Sequence, residues 1–151
     1  MAGIGAACDL AALSGGAPRT VVPTRGLSLG LSPDGKQIYF VREPAATTLW
    51  RADLATAELS RVVDGLVPYC TSCWAVAEHG IYYLGTRPGS PHLQSIFYQD
   101  FRTKATKLIA DYPEPILPIG IGPFSLSPDG HSLLTVRLDP INSDLLRADN
   151  F

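Results

Sequence analysis

The feature of this 151-residue sequence most suggestive of chemistry is Cys70-Thr71-Ser72-Cys73-Trp74. Two cysteines separated by two residues suit a redox pair or half of a zinc site. A redox pair of this type usually opens a helix in a βαβ unit, and that setting is absent here. A structural zinc needs four ligands. There is no second Cys-x-x-Cys, and Cys8 and His79 are the only obvious additions. In an extended strand Cys70 and Cys73 would face opposite sides, too far apart for a disulfide; in a turn a disulfide can form. The leading expectation is a pair of structural thiols, with a disulfide and a metal or redox site as alternatives.

Carboxylates are the next candidates. Asp34 and Asp129 each stand in a Pro-Asp-Gly sequence, followed by Gly35 and Gly130. An Asp in such a turn accepts hydrogen bonds from nearby backbone N–H groups, so both are expected to be structural turn residues. Asp53, Asp100 and Asp149 are read the same way. His79, His92 and His131 fall at or near turns, and none has a partner at His-x-x-x-His spacing. Gly26-Leu27-Ser28-Leu29-Gly30 has the Gly-x-Ser-x-Gly form, but it falls within the first strand of a repeat and leads into a Pro-Asp-Gly turn, not the strand-to-helix elbow that exposes a nucleophile. No phosphate loop or dinucleotide fingerprint is present. The Gly-Ile-Gly at 120–122 has no further Gly at the required place and reads as a loop. The sequence therefore assigns no catalytic residue, no cofactor and no metal ligand, and the expectation is a protein that is not an enzyme.

The elements that carry these residues repeat. Leu31-Ser32-Pro33-Asp34-Gly35 returns as Leu126-Ser127-Pro128-Asp129-Gly130, 95 residues on, with a degenerate copy at Ala77-Glu78-His79-Gly80 between them. An apolar run follows each glycine: Ile38-Tyr39-Phe40-Val41, Ile81-Tyr82-Tyr83-Leu84 and Leu133-Leu134-Thr135-Val136. A second marker keeps the same register. Asp53, Asp100 and Asp149 each close an apolar strand, at intervals of 47 and 49 residues. Each repeat reads as four short strands; in the first these are about 27–31, 37–42, 48–54 and 59–63. Neighbouring aromatics such as Tyr39 and Phe40 point to opposite faces of a strand, which fits a sheet packed on both sides. Four short strands per ~45 residues is the blade pattern of a β-propeller. The expected fold is all-β, a partial propeller of about three to three and a half four-stranded antiparallel blades. Residues 8–22 end one blade, with strands near 9–14 and 19–22. Residues 26–63 and 70–110 form two more, and 122–151 a blade lacking its outer strand. A β-sandwich is the runner-up, but it gives no reason for the repeat.

Composition agrees. Glycine (14) and proline (13) are abundant, as short strands with frequent turns require. The net charge is −2 and no basic run is present, so direct nucleic-acid binding is not expected. No apolar run approaches the ~18 residues of a membrane span. The first eight residues lack the basic region and apolar core of a signal peptide. Cys8 after Gly5-Ala6-Ala7 only faintly suggests a lipidation site. Periplasmic and cytoplasmic locations are both compatible with the sequence.

Residues 31–41 and 49–54 resemble the blades of the TolB-like, WD-repeat-like propeller family, and 126–136 and 145–149 nearly as well; the middle blade departs at Ala77-Glu78-His79. The end of the sequence, 143–151, looks like the C-terminus of bacterial regulators that place a winged-helix DNA-binding domain before such a propeller. That resemblance implies a non-catalytic module for protein interaction or ligand sensing, a C-terminal fragment of a larger regulator. Its partner would be a protein or small ligand on the propeller face, with self-association through open blade edges. The alternatives are the propeller gate of a prolyl-oligopeptidase-type serine hydrolase and a TolB-like periplasmic scaffold protein.

Overall fold

The run Ile38-Tyr39-Phe40-Val41 shows how the architecture arises. All four side chains are buried, yet consecutive residues of a strand point to opposite faces. Ile38 and Phe40 enter one apolar cluster with Cys8, Val22 and Ala52. Tyr39 and Val41 enter another with Leu49, Val63, Trp74 and Ile81. The sheet must therefore be covered on both sides.

The computed structural model describes residues 8–11, 13–22, 26–112 and 124–135. Every regular element among them is a strand. A hairpin, β1 (Cys8–Leu10) and β2 (Arg19–Val22), comes first. A four-stranded antiparallel meander follows: β3 (Leu27–Leu31), β4 (Gln37–Val41), β5 (Thr48–Asp53) and β6 (Leu59–Asp64). The second meander holds β7 (Trp74–Val76), β8 (Gly80–Arg87), β9 (Ser90–Asp100) and β10 (Thr106–Tyr112), again paired in chain order. A last hairpin pairs β11 (Ser125–Leu126) with β12 (Leu133–Leu134). The first strand is shorter than the sequence suggests: it stops at Leu10, and the chain then passes through Gly15 and Gly16, with φ of 101° and 111°.

The cores lie between sheets. One joins the β1–β2 hairpin to the first meander. The next joins the two meanders and stacks Tyr39 on Phe101 and Tyr83 on Phe97 at 5.7 and 5.6 Å between ring centroids. The third joins the second meander to the β11–β12 hairpin through Leu84, Ile96 and Phe124. Burying a side chain such as Leu49, Ile81 or Leu84 contributes about 1.5–3 kcal/mol, so apolar burial is the main term holding the sheets together. Trp50 carries the Arg42 guanidinium 3.8 Å over its ring, with that of Arg61 at 5.3 Å, which covers the indole where the apolar packing ends.

Candidate functional site at the inner strands

The first strand of each repeat stands at one end of its sheet. Among the described residues β3 pairs only with β4, β7 only with β8 and β11 only with β12. These three strands face a shared concavity of about 540 Å³. Leu29 and Leu31 of β3 reach into it and are 50% and 52% exposed, although Leu is usually interior. Trp74 and Phe124 form its floor, and Ser28, Ser72 and Ser125 supply hydroxyls. Among the described residues no ionisable side chain lines it. It can offer apolar contact and neutral hydrogen bonds, together with three strand edges that pair with no further strand among the described residues.

Local geometry places these groups. β3 is bulged between Leu27 and Gly30, and Ser28 has φ of 52°. A bulge re-aims a side chain, and here the Ser28 hydroxyl donates to Thr71 Oγ1 at 3.0 Å. Gly30 lies under the Trp74 ring: a Cβ there would come within 2.9 Å of two ring carbons. Trp74 is fixed by its indole N–H, which donates to the Thr71 carbonyl at 2.7 Å.

Of the residues singled out by sequence, Ser72 and Trp74 of the Cys-x-x-Cys segment line this concavity, while the described aspartates, histidines and cysteines do not. Asp34 accepts from the Ser32 hydroxyl at 2.6 Å and from the Lys36 N–H at 3.1 Å. Asp129 accepts from the Ser127 hydroxyl and from the His131 N–H at 3.0 Å. Gly35 and Gly130 follow with φ of 69° and 71°, a conformation glycine takes without steric cost. Asp53 accepts from the N–H groups of Ala55 and Thr56 at 2.8 and 2.9 Å and from the Thr56 hydroxyl at 3.2 Å. Asp100 accepts from the N–H groups of Arg102 and Thr103 at 2.9 and 2.7 Å and from the Thr103 hydroxyl at 3.0 Å. These bonds favour the ionised form and hold all four carboxyls below the usual aspartate value. The leading cause is the serine hydroxyl for Asp34 and Asp129, and the threonine N–H for Asp53 and Asp100. Asp149 and the side chain of His92 lie outside the described residues. His79 is exposed, 3.9 Å from the Glu78 carboxylate, and His131 is exposed in its turn.

Cys70 and Cys73 lie in a turn between β6 and β7 and not in an extended strand. Their Cα atoms are 5.4 Å apart and their sulfurs are joined as a disulfide, within the Cα range such bonds require. Of the three readings open from sequence, the structure takes the disulfide, because the chain reverses after Tyr69, whose φ is 64°. Cys8 is buried against the first meander, and burial, with Asp9 second, pushes its thiol up. Among the described residues no group of three or more His, Cys, Asp or Glu side chains could hold a metal ion. No helix among them is long and apolar enough to cross a membrane.

No family model and no curated protein sequence matches the chain. Among solved structures it is similar to TolB from Acinetobacter baumannii, with a TM-score of 0.61 and 22% identity over 89% of this chain and 32% of that one. The fold is a partial β-propeller. In propeller terms the two meanders are blades, the first strand of each is innermost, and the concavity lies on the inner wall. Similarity extends to the β-propeller domain of the Trilobed protease from Pyrococcus furiosus (TM-score 0.47, 20% identity, 71% of this chain and 34% of that one). It also extends to puromycin hydrolase (TM-score 0.42, 16% identity, 79% and 20%). The propeller chain thus spans about a third of the length of TolB.

Proposed function

We propose that this propeller segment is a non-catalytic binding module of a larger protein, and that it takes an extended peptide of mixed apolar and neutral polar character at its inner strands. The observation that carries this reading is the concavity of about 540 Å³ on β3, β7 and β11, with exposed Leu29 and Leu31 beside serine hydroxyls. Strand edges paired on one side only offer N–H and C=O groups that an added strand satisfies, while alternate side chains fill apolar pockets. A neutral lining favours neither nucleic acid nor a strongly charged partner. The non-catalytic reading draws on Asp34, Asp53, Asp100 and Asp129, each already engaged by its own turn. The origin in a bacterial regulator rests on the resemblance of 143–151 alone.

Peptides selected from a random displayed library on the immobilised chain test this. Their affinity is expected to fall at least tenfold, ~1.4 kcal/mol, in Leu31→Asp. It should stay unchanged in Leu59→Asp, an exposed leucine of outer strand β6. Equal affinity for both variants would overturn the reading.

A further inference from the structure

The turn that holds the disulfide also ties three blades together. On one side the Ser28 hydroxyl of the first blade donates to Thr71 Oγ1 at 3.0 Å. Within the second blade the Trp74 indole N–H donates to the Thr71 carbonyl at 2.7 Å. On the other side the Phe124 N–H, leading into β11, donates to the Ser72 carbonyl at 3.1 Å. Thr71 thus reaches the first blade and Ser72 the third, and both stand between the two bonded cysteines. Just before them the Tyr69 N–H also donates to the Pro44 carbonyl of the first blade at 2.7 Å. The turn is closed further by Cys73 N–H donating to the Cys70 carbonyl at 3.2 Å. Both cysteines belong to the apolar cluster that packs Leu84 and Ile96 against Phe124, with exposures of 6% and 1%. Ser28, Ser72, Trp74 and Phe124 all line the inner concavity.

We propose that the Cys70–Cys73 disulfide is a redox latch on the inner-strand site: oxidised, it holds the concavity in the shape described, and a dithiol reductant releases it. As a regulator of peptide binding the latch rests on the function proposed above; as a conformational device it stands on the hydrogen bonds alone. In the reaction a thiolate of the dithiol attacks Sγ of Cys70, the more exposed of the pair, and the Cys73 thiolate leaves. The second thiol of the reductant then displaces Cys70. The reductant ends as its cyclic disulfide, and the protein gains two electrons and two protons as two thiols. Two thiols cannot remain at bonding separation, and both cysteines sit among the packed side chains of this cluster. The turn must shift, and the Ser28–Thr71 and Ser72–Phe124 bonds shift with it.

Thiol titration and amide hydrogen exchange on the whole chain, with and without dithiothreitol, test the latch. Of the three cysteines, one is expected to titrate in the unfolded protein prepared without reductant, and three after reduction. Reduction should speed exchange of the Phe124 amide about five- to tenfold, the protection one hydrogen bond confers. The amide of Leu49 in the first blade should not change. Three titratable thiols before reduction, an unchanged Phe124 amide, or equal acceleration at Leu49 would each overturn the proposal. The Cys70→Ser/Cys73→Ser variant should exchange fast at Phe124 without reductant and not respond to it; a response would place the effect elsewhere, at Cys8. The wild-type comparison decides the matter if that variant does not fold. Peptide affinity is measured separately on the oxidised chain, so loss of the binding reading leaves the exchange result standing.

Discussion

Asp53 and Asp100 do the same work in successive blades. Each accepts from two backbone N–H groups and a threonine hydroxyl, and each turn then passes through a left-handed residue, Ala57 with φ of 59° or Lys104 with φ of 60°. A side chain with a Cβ costs about 1–2 kcal/mol there. Ala57→Gly and Lys104→Gly are expected to stabilise the fold by about 1 kcal/mol each, read as a rise in denaturant midpoint at constant slope. The carboxylates add a pH dependence. Their folded values lie below the ordinary one, so their contribution is complete above the unfolded pKa of about 3.9 and is lost as pH falls through the folded values. Acid unfolding should therefore steepen below about pH 4. The quadruple Asp34→Asn, Asp53→Asn, Asp100→Asn, Asp129→Asn variant should show a flatter profile there in a pH series of thermal melts; an unchanged profile would mean that other groups govern it. The Pro-Asp-Gly turns were legible because proline and glycine are strong local signals. The part played by Thr56 and Thr103 was not, since neither residue announces a cap by type alone. The turn at Cys70 was also hidden, because it begins at Tyr69 in a conformation that sequence associates with glycine.

At the scale of strands, alternation made the all-β class and the two-sided burial readable. Ile38 and Phe40 face one neighbour, Tyr39 and Val41 the other. The inner-wall residues Leu29, Leu31 and Ser125 were not picked out, because an exposed leucine on a strand looks like any core leucine in sequence. Only its place on the innermost strand distinguishes it. Two close approaches give sharp tests. Gly80 admits no Cβ, which would meet the Gln99 carbonyl and the Tyr98 ring; the first of these is backbone and cannot swing away. Gly80→Ala should destabilise by at least ~1–3 kcal/mol, the cost of overpacking. Leu84→Ala, fully buried in the cluster between second and third blades, should cost about 2–5 kcal/mol. Chemical denaturation of both variants checks these values. Little change in Gly80→Ala would mean that β8 and β9 can separate there, against the pairing of Gly80 with Asp100.

For the molecule as a whole, the apolar clusters lie between sheets, so each sheet depends on its neighbours, as in other repeat folds. This is why a repeat in sequence translated into fold while function did not: spacing fixes the stacking of blades, and a fold by itself does not specify what its inner wall binds. The proposed peptide site is the wall formed by the inner strands β3, β7 and β11. The most direct measurement is a map of backbone amide chemical-shift changes as a selected peptide is titrated into the labelled chain. The expected result is a set of shifts concentrated on β3, β7 and β11, including Leu29, Leu31 and Ser125, with β6 and β10 unmoved. Shifts confined to β6, β10 or the aspartate turns would contradict it.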